Sequence, residues 1–256
     1  CHFTREYMAA LLTSVLDNSD KVSGYIGECR ECGIALLPPD INRSADRFTV
    51  EEGGIRFGLV AIKNIGRGFI QAVMRERETG GDFSSLYDFC SRMNGSEMNK
   101  RAVENLIRSG AFDSMGARRS QLIKVYETVM DSVAAQQRAN VAGQMDFFSM
   151  AAASSGAPAP VKEIPLPDIP EYTPEELMTM EKATTGLYLS GHPMDHYREI
   201  VRKLNAPSIA SILADFARED GPERFADGQR VTIAGVITSS KTKTTKNNSL
   251  MAYVMV

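Results

Sequence analysis

The residues best equipped for chemistry sit close together: Lys63, Asn64, Gly66, Arg67 and Gly68 all fall within one short stretch. The segment GLVAIKNIGRGFIQAVMRER, residues 58–77, predicts a helix, a tight turn at Lys63-Asn64-Ile65-Gly66, and a second helix with Phe69, Ile70, Val73 and Met74 on one face. Such a turn aims unpaired backbone N–H groups at one spot beside the positive end of a helix, which suits a phosphate. Gly66 and Gly68 let the backbone approach a ligand where a Cβ would clash. Lys63 and Arg67 stand where a phosphodiester would pass. The chemistry is a grip on a nucleic-acid backbone that ignores base sequence; the plainer alternative is a packing hairpin between two helices.

A second candidate hairpin lies at Ser109 and Gly110, after Arg108 at the end of a helix that Asn99 is placed to cap. Two hairpins in tandem favour the DNA reading, in which Ser109 and Gly110, with Arg108 nearby, are expected to hold phosphates at the second hairpin. The alternative for Arg108 alone is a solvated charge at a helix end. Net charge is −3, yet residues 54–124 carry 12 Lys and Arg against 7 Asp and Glu. That local balance of +5, on a chain otherwise at −8, sets the field a phosphate meets.

A different chemistry is written at Gly143-Gln144-Met145-Asp146-Phe147-Phe148. Two adjacent phenylalanines beside a Gln amide, at the lip of a Pro-rich stretch, form a short peptide built to dock in a partner's apolar pocket. The plainer alternative folds both rings back onto the preceding helix. Lys241, Lys243 and Lys246 are expected on a loop between two strands, where they would meet single-stranded nucleic acid or simply be solvated.

The remaining reactive side chains point nowhere in particular. Four cysteines at 1, 29, 32 and 90 suggest no disulfide framework, and Cys29-x-x-Cys32 has no second pair at zinc-site spacing. They read as small buried hydrophobes. His192 and His196 are four apart, but Pro193 follows the first and no Glu completes a metalloprotease pattern. No metal site, cofactor site or strand-borne carboxylate pair for catalysis is expected. No apolar run approaches the ~20 residues of a membrane span, so the cytoplasm is the default compartment. The chain opens on Cys1 rather than Met, which suggests a fragment boundary.

These residues must be positioned by a mainly helical chain. Residues 4–16 and a second run through Arg30 are expected helices, ended by Gly33 and Pro38-Pro39. Two short strands are expected at 47–50 and 55–57 around Glu52-Gly53-Gly54. Further helices are expected near 86–93, after Asn99, and over 119–137. Residues 151–173 hold Ala, Ser, Gly and many of the chain's 11 prolines, and are expected to form an extended linker. Thr173-Pro174-Glu175-Glu176 is a capping box that starts another helix. Strands are expected at 231–238 and 250–256, too few to close a barrel.

These pieces, in this order, closely resemble the alpha subunit family of the bacterial replicative DNA polymerase III. The resemblance covers essentially the whole chain. It is carried by Met8-Ala-Ala-Leu-Leu-Thr-Ser14, Leu36-Leu-Pro-Pro-Asp-Ile-Asn42, Gly58-Leu-Val-Ala-Ile-Lys63, Asn99-Lys-Arg-Ala102, Ser109-Gly-Ala-Phe-Asp113, Thr185-Gly-Leu-Tyr-Leu-Ser-Gly-His-Pro193 and Gly228-Gln-Arg-Val-Thr-Ile-Ala-Gly235. Residues 144–148 resemble that family's internal clamp motif, Gln-x-x-Leu/Met-Phe, with Phe147 where Leu or Met is usual. Asn64 stands where the family commonly has Gly; Asn tolerates φ > 0, so the turn is expected to survive.

The resemblance implies an end of the polymerase fingers at 1–50 and a tandem helix-hairpin-helix domain at 51–137. A clamp-binding peptide with linker would follow at 138–173, a helical connector at 174–228, and the start of an OB-type β-barrel at 229–256. It further implies template-directed DNA synthesis, with Mg²⁺ held by palm carboxylates outside this chain. The expected partners are double-stranded DNA, the sliding clamp through Gln144, Met145, Asp146, Phe147 and Phe148, single-stranded template, and other replisome subunits. The rivals are a helix-hairpin-helix repair enzyme, a non-catalytic clamp-recruited scaffold, and an error-prone paralogue of the same polymerase; the clamp peptide argues against the last.

Overall fold

Alternation of apolar and polar positions builds a helical assembly with two small sheets. The computed structural model describes residues 3–16, 19–95, 97–141, 164–237, 239–245 and 247–256. They divide into two units, through Ser190 and from Gly191 onward.

In the first unit, helices α1 (Thr4–Ser14) and α2 (Ser19–Glu31) precede a three-stranded sheet. Gly33, at φ 70°, ends α2 by adopting the left-handed backbone that other residues avoid. Strands β2 (Thr49–Glu51) and β3 (Gly54–Arg56) pair antiparallel, as the turn residues predict. Strand β1 (Leu36–Leu37) adds in parallel to the other edge of β3, with Leu36 opposite Ile55. At two residues, β1 carries no periodicity that a sequence reading could use.

The predicted helix before the first hairpin is instead a single 3₁₀ turn, Leu59–Ala61, flanked by extended Gly58 and Ile62. Its N–H groups explain why: Leu59 and Val60 donate across the chain to the carbonyls of Ala45 and Asp46. Helix α3 (Arg67–Gly80) follows and buries Phe69, Ile70 and Val73. Helices α4 (Leu86–Arg92), α5 (Lys100–Arg108) and α6 (Arg119–Val141) begin where the sequence places them. The Asn99 amide oxygen accepts from Ala102 N–H at 2.9 Å, as its capping role requires.

Phe89 holds these helices together. Its ring meets Phe83, Phe112 and Phe69 edge to face, at centroid separations of 5.0, 5.1 and 6.2 Å. All four are buried. A Phe so placed is worth about 3–5 kcal/mol against truncation to Ala.

Residues 164–173 correct the expectation of a free linker. Ile164 packs on the core, Gln121 donates to the Pro167 carbonyl, and Arg118 donates to that of Ile169. Glu171 caps the start of α6, accepting from the N–H groups of Arg119 and Ser120 at 2.7 and 3.0 Å. Proline there fixes extended chain without preventing docking, because tertiary side chains donate to the carbonyls of the segment. Helix α7 (Pro174–Thr185) opens with the predicted capping box of Thr173 and Glu176, and residues 174–190 belong to this first unit.

In the second unit, His192 begins a 3₁₀ turn (Pro193–Tyr197): its Nδ1 accepts from Met194 N–H, and its own N–H donates to Asp195. Helices α8 (Arg198–Lys203) and α9 (Ile209–Phe216) follow. The buried Asp215 carboxylate gathers the N–H groups of Glu223, Arg224 and Phe225. Strands β4 (Ser239–Thr244) and β5 (Leu250–Met255) pair antiparallel. This corrects the first expected strand, since residues 231–237 carry no ladder. The Ser/Lys/Thr run 239–244 pairs because Asn248, at φ 58°, makes the turn that closes the hairpin.

Burial raises the Glu171 carboxyl, but N–H bonds from Ser120, Tyr172 and Arg119, with the Arg119 charge, hold it below the ordinary 4.5. A carboxyl depressed on folding stabilises the fold above its unfolded value, and that stability is lost as pH falls through the folded value. Glu171→Gln is therefore expected to lower the urea midpoint at neutral pH. The gap from the parent chain should hold down to about pH 5 and close below 4.5. A gap that does not vary with pH would refute the carboxylate's role.

Candidate nucleic-acid interface

The first hairpin is built as its sequence predicts at the turn itself. Asn64 takes φ 63°, so the departure from Gly is accommodated in the left-handed region. Lys63, Asn64, Gly66, Arg67 and Gly68 are all exposed, while Ile65 turns partly inward onto the core. The N–H groups of Asn64, Ile65 and Gly66 have no acceptor among the described residues. Those of Arg67, Gly68 and Phe69 lie in the first turn of α3, where the helix offers no internal acceptor. Six donors therefore surround one exposed bend at the positive end of a 14-residue helix. Gly66 at the N-cap supplies no side-chain acceptor to occupy them.

The turn is held from the rear by residues remote in sequence. Asn105 of α5, largely buried, donates its amide to the Lys63 carbonyl at 2.6 Å. Lys63 N–H donates to Thr184 at 2.9 Å, and its ammonium reaches the Ala183 carbonyl at 3.0 Å. Both carbonyls end α7, where the helix dipole favours a cation. Lys63 is thus a structural tie as well as a surface charge. Nothing local in the sequence marks Asn105, Ala183 or Thr184 for this role. Arg67, by contrast, has no ion pair or hydrogen bond among the described residues.

Glu97 approaches the same bend. A Cβ on Gly68 would stand 2.7 Å from its Oε2, and one on Gly66 would stand 3.7 Å away. Gly68 therefore makes room for a carboxylate, and that carboxylate opposes any phosphate arriving here.

The second predicted hairpin is placed differently. Ser109 and Gly110 are buried, and Ser109 donates its hydroxyl to the Leu106 carbonyl at 2.9 Å. The N–H groups of Ser109, Gly110 and Ala111 bond to Asn105, Ile107 and Leu106. Gly110, at φ 85°, leaves the space that the Arg119 guanidinium fills. Arg108 pairs with Glu104 at 2.8 Å. The two hairpins are brought together through Asn105, but only the first presents free donors to solvent.

In the second unit, Lys241 and Lys243 stand on strand β4, not on the expected loop, opposite Tyr253 and Met251. The Lys243 ammonium lies 6.0 Å from the Tyr253 ring centroid. Lys246 and residues 144–148 lie outside the described residues. Among the described residues, no group of three or more His, Cys, Asp or Glu could hold a metal ion, and no helix is long and apolar enough to cross a membrane.

Comparison with known proteins agrees with this geometry. A helix-hairpin-helix motif matches residues 33–122, which include both hairpins. The DNA polymerase III subunit alpha of Vibrio cholerae is 34% identical over 249 residues, which is 97% of this chain and 20% of the relative. The subunits of the same name from Saccharopolyspora erythraea and Deinococcus radiodurans are 35% and 38% identical, over 99% and 96% of this chain and 21% and 18% of their own lengths. Over this stretch the chain belongs to the DNA polymerase III alpha-subunit family. It spans about a fifth of the length of the curated relatives it matches. The alpha-subunit match runs through both units.

Glu97→Gln keeps the side chain's shape and removes its charge. It is expected to tighten binding of a DNA duplex about 2- to 5-fold at low salt, the effect of one charge some 4–8 Å away in water. Fluorescence anisotropy would measure it, and an unchanged Kd would place Glu97 outside the phosphate's field.

Proposed function

We propose that this chain is the DNA-holding and clamp-recruiting portion of a bacterial replicative DNA polymerase alpha subunit. The observation that carries the reading is the exposed bend at 63–68, with its unclaimed N–H donors and the unpaired Arg67. In this reading Lys63, Asn64, Gly66, Arg67 and Gly68 hold duplex phosphates, and backbone donors make the hold indifferent to base sequence. Arg108, Ser109 and Gly110 shape the second hairpin that braces the first. Gln144 hydrogen-bonds and Phe147 and Phe148 fill a pocket on the sliding clamp, with Met145 and Asp146 spanning them. Docking of residues 164–173 returns the chain to the first unit after that peptide, which keeps a bound clamp at high effective concentration.

The polymerisation chemistry, with its Mg²⁺ ions, is assigned to other parts of the subunit, so this chain alone is expected not to extend a primer. Residues 229–256 would begin an OB-type barrel whose Lys241, Lys243 and Lys246 meet single-stranded template. The setting is the cytoplasmic replisome.

Two measurements test the reading. Arg67→Ala, which removes no hydrogen bond or ion pair among the described residues, is expected to reduce the slope of log K against log salt for a duplex by about 0.9. A slope equal to the parent's would refute the phosphate contact. The parent chain is expected to bind a purified bacterial sliding clamp with micromolar affinity, of order −8 kcal/mol, and a Gln144→Ala/Phe148→Ala variant to lose it. Absence of binding by the parent chain would remove the recruitment role and favour a DNA-repair reading.

A further inference from the structure

A cleft of about 240 Å³ opens beside the first hairpin, between α1, the 44–47 loop and the start of α3. Leu16 and Val60, half-buried, and buried Ile70 line its apolar part; exposed Arg47, Arg67 and Gln71 supply its polar part. Arg67 thus belongs both to the hairpin and to this cleft.

Arg47 is held there by its backbone. Leu59 and Val60 donate to the carbonyls on its N-terminal side, at Ala45 and Asp46, at 2.9 and 3.0 Å. A Cβ on Gly58 would run into the Arg47 backbone, so only glycine permits this approach. On the other side Phe48 is buried edge-on against Phe57, with centroids 5.0 Å apart. The fixed backbone carries a guanidinium whose side chain is 68% exposed and whose one ion pair among the described residues is with Asp46 at 3.5 Å. Asp46 also accepts Arg47 N–H at 2.9 Å, which turns the loop. An arginine anchored this firmly in its backbone, with a mostly exposed tip paired only to its sequence neighbour, contributes little to the fold.

We propose that this cleft seats a further phosphodiester of the nucleic acid held at residues 63–68, with Arg47 as its cation and Arg67 shared between the two seats. The inference rests on the reading of the hairpin given above and extends the contact track onto the 44–47 loop, outside the hairpin. Asp46 is the single opposing charge lining the cleft, so two guanidiniums leave it net positive. Its aliphatic part lacks an aromatic surface for base stacking, so the backbone rather than a base is the matching group.

The test is duplex binding by the full chain across a salt series, using Arg47→Ala, Arg67→Ala and Asp46→Asn. Arg47→Ala should lower the salt slope by about 0.9 and leave thermal unfolding unchanged. Asp46→Asn keeps the acceptor for Arg47 N–H and removes the charge, so it should tighten binding; a purely structural Asp46–Arg47 pair would predict weaker or equal binding. A parent-like slope for Arg47→Ala, with a reduced slope for Arg67→Ala, overturns this inference and leaves the hairpin reading standing. No duplex binding by the parent chain overturns both. Inorganic phosphate added at matched ionic strength separates the sources: if it competes with duplex for the parent chain but not for Arg47→Ala, the seat takes free phosphate and the backbone assignment fails.

Discussion

The buried guanidinium of Arg119 fixes the rest of the arrangement. It donates to Asp113 at 2.7 and 2.9 Å, to Glu181 at 3.1 Å through two nitrogens, and to the Arg108 carbonyl at 3.3 Å. Glu181 is 1% exposed and spends its second oxygen on the N–H groups of Leu189 and Ser190 and on the Ser190 hydroxyl. Desolvating both charges is costly, and such a pair adds little net stability; losing one partner would strand the other, at about 3–5 kcal/mol. What the pair supplies is register. It locks the exit of the second hairpin, the start of α6 and the body of α7 into one position.

That register is transmitted to the exposed bend at 63–68. Glu181 fixes α7, the last carbonyls of α7 receive Lys63, and the Lys63 carbonyl receives Asn105 from the second hairpin's helix. The bend is thus braced by two elements remote from it in sequence. Burial of Ser109 and Gly110 follows from the same logic: Gly110 yields its space to Arg119, so the second hairpin serves as the foundation on which the first is mounted.

A count of charges conceals this division of labour. Much of the basic excess in residues 54–124 is spent internally: Arg56 on Glu51, Arg77 on the carbonyls of Ile41 and Ser44, Arg92 on Glu76 and the Phe83 ring, Lys100 on Glu127 and Asp131. The field available to a ligand comes from the few cations left over, Arg67 foremost. Residue types alone could locate the basic segment but not apportion it, because most of these pairings, the Arg56–Glu51 pair across the β2–β3 turn apart, join elements that meet only in the folded chain.

The same boundary separates what was legible from what was not. Helix starts at Asn99 and Thr173 could be read because a cap and its target lie within three residues. The αL turn at Asn64 could be read because it depends on one residue's backbone preference. The 3₁₀ turn before the hairpin, the parallel strand β1 and the docking of residues 164–173 each turn on a partner far along the chain, where local propensity is silent. The bend at 63–68 combines both kinds of information: its shape is local, but its orientation is set through carbonyls some 120 residues away. Backbone donors suit this division, because they select no base and keep their geometry wherever the chain is braced. Under the proposed function, a hold on successive steps of a duplex needs a fixed frame more than it needs many charges, and the Arg119–Glu181 pair supplies such a frame from the interior.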